Sequence, residues 1–87
     1  MGEAGDASLL DFSRARPKKR SLTLRGHRTS VSLEDPFWRA FLAIAAAEGK
    51  PINALAAEID EARGVACGLA SAIRLFVFEH ASRRAGP

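Results

Sequence analysis

The stretch His27-Arg28-Thr29-Ser30-Val31-Ser32-Leu33-Glu34-Asp35-Pro36 contains a change of period. Thr29, Val31 and Leu33 alternate with Arg28, Ser30 and Ser32. That is a period of two with β-branched residues on one side, and it predicts a half-buried strand over 27–33. Glu34 and Asp35 then precede Pro36. Proline suits the first turn of a helix, and acids suit the positive end of its dipole. From there the period is helical, with Phe37, Phe41, Ile44 and Ala45 in one stripe and Trp38 and Leu42 widening it. Gly49 is predicted to end this helix.

Downstream, Pro51 suits the first turn of a second helix over 52–62, with an apolar stripe of Ile52, Leu55, Ala56 and Ile59. Glu58, Asp60 and Glu61 make its solvated face. Arg63, Gly64 and Gly68 mark a break, and a third helix is predicted over 69–82. Leu69, Ala72, Ile73, Phe76, Val77 and His80 keep helical spacing there, while Leu75 and Phe78 make it apolar nearly all round. Such a helix needs cover on more than one side, and in so short a chain the cover is expected from another subunit.

Upstream, Leu22 and Leu24 also alternate, but on even positions, so the phase flips across Gly26. A glycine at a phase slip reads as a bend or bulge. Residues 1–20 read as a flexible basic arm whose only apolar cluster is Leu9, Leu10 and Phe12. Residues 21–82 form the domain and 83–87 a short tail. One strand followed by helices poses a backbone problem, because a lone strand leaves its N–H and C=O groups unmet. With no second convincing strand, the expectation is a self-paired antiparallel ribbon across a two-fold axis. The predicted fold is mainly α with one short β-strand, an intertwined homodimer and a third helix.

Eighty-seven residues, 47% of them hydrophobic, allow one small domain. The single cysteine, Cys67, excludes an intrachain disulfide and a multi-cysteine metal site. The N-terminus does not look like a secretory signal, and no segment nears the roughly 20 apolar residues that span a bilayer. A cytoplasmic protein without a membrane partner is the default expectation. The net charge of +3 hides an uneven distribution. Arg14, Arg16, Lys18, Lys19, Arg20, Arg25 and Arg28 lie together with no acidic residue among them, whereas the rest of the chain is net acidic. A basic edge beside an acidic body suits a polyanion partner; a solvated basic tail is the bland alternative.

In this order of elements the chain resembles the Arc/MetJ-like ribbon-helix-helix family of bacterial repressors. The stretch Arg28-Thr29-Ser30-Val31-Ser32-Leu33, the helix opened at Pro36 and the turn at Glu48-Gly49-Lys50 carry the likeness. It is closest to a subgroup of short bacterial proteins with a Gly-His-Arg-Thr-Ser strand entry, here Gly26 to Ser30, and an Ala-Ile-Arg-Leu-Phe-Val segment, here Ala72 to Val77. The resemblance implies a dimeric ribbon in the major groove of double-stranded DNA. By parity Thr29, Val31 and Leu33 would face the core, and Arg28, Ser30 and Ser32 would contact bases. Arginine can bond guanine with both ends of its fork, and serine can donate or accept.

The resemblance also implies phosphate contacts at the backbone amides of Ile52 and Asn53 on a helix N-terminus, with Lys50 adding charge. Lys18, Lys19, Arg20 and Arg25 would contact phosphates from the basic edge. Two departures stand out. Pro51 removes one donor from the helix start, and Gly64 to Gly68 interrupt what the family keeps as one continuous helix. Either helix 52–62 is the family's second helix and 69–82 an addition, or 69–82 takes that role and 50–62 is inserted. The position of the Gly49-Lys50 turn relative to Pro36 favours the first.

Other candidates read as structural. His27 is a strand-entry residue, and His80 lies on a helix face near its end. Neither shares ligand spacing with Cys67, so no metal or other cofactor is expected. Cys67 has no neighbouring base to make it a nucleophile. Glu58, Asp60 and Glu61 lie on a solvated face, and an enzyme is not expected. The leading expectation is a sequence-specific DNA-binding transcriptional regulator, dimeric or tetrameric. The alternative is a protein-interaction module, an antitoxin or adaptor, on the same dimer fold. The few residues after the last helix speak against a tail that wraps a toxin.

Overall fold

Leu22 and Leu24 belong to a strand of their own. A computed structural model describes residues 12–85 and places β1 at Lys18–Leu24 and β2 at His27–Leu33, paired antiparallel. This corrects the reading of one lone strand. It also removes the backbone argument that made a second chain a necessity, because β2 finds its hydrogen-bonding partner within the same chain. The joint is a two-residue turn in which Arg25 and Gly26 have φ of 52° and 85°. Positive φ at both positions is what a type I′ hairpin turn requires. Two intervening residues also explain the phase flip, since the inward side chains are even-numbered before the turn and odd-numbered after it.

Part of the predicted arm is therefore structured. A short 3₁₀ turn covers Phe12–Arg14, and β1 begins at Lys18. Residues 1–11 of that arm, with Leu9 and Leu10, lie outside the described residues, as do 86 and 87 of the predicted tail.

Three helices follow: α1 at Asp35–Ala47, α2 at Ile52–Arg63 and α3 at Leu69–Ala85. α1 starts one residue before Pro36, with Glu34 as its N-cap residue. It ends as expected on Gly49, whose φ of 68° permits the closing pair of bonds. The amide of Lys50 bonds Ala45 O (2.9 Å) and that of Gly49 bonds Ala46 O (3.1 Å), a Schellman cap. Pro51 lies just outside α2 as its N-cap residue rather than within its first turn. α3 runs three residues beyond the predicted end and takes in most of the tail.

The helices cover one face of the hairpin. Leu22, Val31 and Leu33 meet Phe41, Ile44 and Ala45 of α1, Leu55, Ala56 and Ile59 of α2, and Ile73 and Val77 of α3 in one core. No polar or charged residue is buried in it. Thr29 corrects the parity reading: it shares the core face with Val31 but is exposed beyond the cover of the helices. Arg74 ties α3 to the β2–α1 junction. Its guanidinium donates to both carboxylate oxygens of Glu34 (2.9 and 3.1 Å) and to Ser32 O (3.4 Å), and it lies over the Phe37 ring. Leu75 and Phe78 of α3 remain 59% and 66% exposed, an apolar strip without cover among the described residues.

Candidate nucleic-acid interface

Pairing within the hairpin decides which side chains share a face. Lys19 opposes Ser32, Ser21 opposes Ser30, and Thr23 opposes Arg28. Side chains alternate along a strand, so these six stand on the face turned away from Leu22, Val31 and Leu33. All six are exposed, and there is no acidic residue anywhere from Lys18 to Leu33. None of the six side chains has a hydrogen-bond or ion-pair partner among the described residues. The open face is polar, cationic and uncommitted.

The turn also sets where backbone groups point. A two-residue hairpin closes on a hydrogen-bonded pair, here Leu24 and His27, and bonded pairs then alternate with unbonded ones. The three open-face pairs are unbonded, so their N–H and C=O groups point out to the two edges of the sheet. On the β1 edge the amide of Thr23 donates to Asn53 Oδ1 of α2 (3.0 Å). On the β2 edge Ser32 O accepts from Arg74. Along that same edge Arg28 and Ser30 carry outward backbone groups in exposed residues.

Arg28, Ser30 and Ser32, the residues expected to read bases, thus come together on the open face. Lys19 joins them. Lys18 is exposed at the foot of β1 but has the parity of the core face. Arg20 needs correction: it is no part of a loose arm. Its side chain turns toward the helices, 3.5 Å from Asp35, over the Trp38 ring and donating to Leu33 O, and is only 16% exposed. Arg25, in the turn, pairs with Glu61 of α2 in an exposed contact. Such a pair is worth at most about 1 kcal/mol, so the guanidinium is free to exchange its partner.

Lys50 sits 2.9 Å from Glu58 and 3.6 Å from Glu48. The hydrogen bond that its ammonium donates to the Glu58 carboxylate raises its pKa above the ordinary lysine value, so it is charged at neutral pH. Ile52 and Asn53 occupy the first turn of α2, where no side chain caps the helix. Bonds from Ala54 and Leu55 to Pro51 O satisfy the next two amides. Ser21 and Thr23 were missed by sequence reading. The signal was the even phase of Leu22 and Leu24, which puts the odd residues between them on the opposite face.

His27 is exposed beside the turn, and His80 packs its ring 6.2 Å from that of Phe76. Among the described residues no group of three or more His, Cys, Asp and Glu is placed to hold a metal ion. None of the described helices is long and apolar enough to cross a membrane.

A two-stranded antiparallel sheet with a polar open face and helices behind it is the frame of a groove-reading ribbon. Residues 17–81 match the family of ribbon-helix-helix domains. The chain is a ribbon-helix-helix protein. No curated protein and no solved structure matches it. The matched span of this ribbon-helix-helix chain takes in both strands and all but the last turn of α3, so β1 and α3 lie within the family pattern. Ribbon-helix-helix domains are in general a DNA-binding, regulatory fold that works as a dimer rather than as an enzyme.

Proposed function

We propose that this chain is a sequence-specific DNA-binding protein, a bacterial cytoplasmic transcriptional regulator that sets the open face of its sheet into the major groove. The observation that carries this reading is the uncommitted face of Lys19, Ser21, Thr23, Arg28, Ser30 and Ser32. Arg28, Ser30 and Ser32 contact bases. Lys18, Lys19, Arg25, Lys50 and the amides of Ile52 and Asn53 contact phosphates. Arg20 is left out because Asp35 and Trp38 occupy it.

The active species is a homodimer. With β2 already paired on one side, the dimer forms through its other edge, where the backbone groups of Arg28 and Ser30 point outward. Two copies of β2 then lie antiparallel about a two-fold axis, giving a four-stranded sheet in the order β1, β2, β2 and β1. An exposed edge of this kind is a template for pairing. The apolar strip at Leu75 and Phe78 supports a second reading, an interaction module such as an antitoxin or adaptor, or a tetramer contact.

Selection from a random duplex library, followed by anisotropy titrations at several salt concentrations, tests the first reading. The expected result is a two-fold symmetric site whose affinity falls with salt by about 0.9 log units per log unit for each phosphate contacted. Arg28→Ala should lose about 1–3 kcal/mol of discrimination between matched and mismatched sites, and Lys19→Ala should weaken all duplexes alike. Equal losses from both on every duplex contradict the assigned roles. Recovery of an endogenous protein at fixed stoichiometry, with no enriched duplex, favours the second reading.

A further inference from the structure

We infer that Ser21 and Thr23 are DNA phosphate ligands, forming with Lys19 a rail on β1 that runs alongside the base-reading strand. The inference rests on the DNA-binding role proposed above and adds residues that resemblance to a single-strand ribbon does not supply.

Three observations carry it. The register places Lys19, Ser21 and Thr23 directly beside Ser32, Ser30 and Arg28, so whatever polyanion meets β2 also meets β1 one strand spacing away. These are the unbonded pairs of the hairpin, in which facing side chains lie closest, with Cα atoms about 4.5 Å apart. The hydroxyls of Ser21 and Thr23 are exposed and have no partner among the described residues. Thr23 is also held in place, because its amide is bonded to Asn53 of α2 at 3.0 Å. The strand therefore presents its hydroxyls on a fixed backbone.

Width decides between bases and phosphates. Strands in a sheet are about 4.8 Å apart, so a four-stranded sheet spans about 14 Å between its outer strand axes. The major groove is about 12 Å wide. The two central copies of β2 fill the groove, and each β1 comes to lie over a wall, where the groups on offer are phosphate oxygens. Serine and threonine hydroxyls donate readily to phosphate, and such contacts position the protein without reading sequence. Lys19, on the same rail, adds charge.

The test uses the full chain with its selected duplex and a scrambled duplex, each titrated across a salt series. All substitutions are at exposed positions, and circular dichroism checks that the fold is retained. The double variant Ser21→Ala, Thr23→Ala should bind both duplexes about tenfold or more weakly, by the same factor, since four hydroxyl contacts per dimer are lost. Its salt slope should stay at the wild-type value, because no charge is removed. Lys19→Ala should instead lower the slope by about 1.8, for two ionic contacts per dimer. Wild-type affinity in the double variant overturns the inference, and so does a loss confined to the selected duplex, which would make Ser21 and Thr23 base readers. A wild-type chain that binds neither duplex overturns the DNA-binding reading itself.

Discussion

Leu22→Ala is the substitution that most directly tests the hairpin. If residues up to about 20 were a loose arm leading into a bend, trimming Leu22 would be nearly silent. In the structure Leu22 is 2% exposed and packs in the core with Val31 and Leu33. The change removes three carbons from that core. At about 0.8 kcal/mol for each buried methylene, the transfer loss alone is about 2.4 kcal/mol. The cavity left between the sheet and the helices adds to it, and buried Leu→Ala changes cost about 2–5 kcal/mol in all. We expect about 3 kcal/mol, a large share of the 5–15 kcal/mol typical of whole domains. For a chain of this size that corresponds to a fall in Tm of roughly 12–24 °C. Urea unfolding followed by circular dichroism at one fixed protein concentration measures it, with Thr23→Ala as the control. Thr23 is the next residue, on the opposite face and exposed, and its truncation should stay within about 0.5 kcal/mol of wild type. A Leu22→Ala variant as stable as Thr23→Ala would refute the pairing of β1 with β2 and the burial that follows from it.

Two further outcomes follow from the same geometry. Gly26→Ala meets no atom within 4 Å of its new Cβ, so its cost comes from the backbone at φ +85° alone and should be about 1–2 kcal/mol in the same urea assay; a neutral change would argue against the turn. The hydrogen bonds from Arg74 hold the Glu34 carboxyl below the usual glutamate range. A lowered folded-state pKa gives stability that is present above the unfolded value, about 4.3, and is lost as pH falls through the folded one. The stability gap between wild type and Arg74→Met should therefore be full at pH 7 and shrink by pH 3, and a gap that is constant with pH would show that Arg74 acts through packing alone.

The helices were legible because their signals were local and redundant. Phe41, Ile44 and Ala45 fall in one stripe, Leu55, Ala56 and Ile59 in another, and both sets are buried as their spacing predicts. β2 was legible for the same reason, down to its limits at His27 and Leu33. β1 was not, and the cause lies in its composition. Lys18, Lys19 and Arg20 open it, and three cations in a row look solvated until their alternation is taken with Leu22 and Leu24. Arg20 is the sharpest case. Its charge suggested a phosphate, but its parity placed it on the core face, where Asp35 and Trp38 receive it. The turn was hidden too, since Arg-Gly lacks the Asn or Asp that normally marks a type I′ hairpin. The open face was half legible: the placement of Arg28, Ser30 and Ser32 on it followed from the phase of β2, whereas that of Ser21 and Thr23 required knowledge of what β2 pairs with.

Pairing β2 within its own chain changes how folding and assembly are linked. A lone strand would couple the two, because neither chain could satisfy its backbone before meeting the other, and a folded monomer would not exist. Here one chain closes its own sheet, caps α1 through Gly49 and buries a core that draws on both strands and all three helices. In the proposed dimer, assembly through the outer edge of β2 would be added to a fold that already stands. The midpoint of urea unfolding separates the two cases, because a dimer without a folded monomer gains stability with protein concentration by mass action. For this chain, dilution below the dissociation constant of the dimer should release folded monomers whose midpoint no longer changes with concentration. In the proposed complex, two half-sites would hold two copies side by side and favour the joining of their β2 edges. A midpoint that keeps falling with dilution, together with loss of helical signal, would restore the coupled picture and leave the intrachain hairpin without a role.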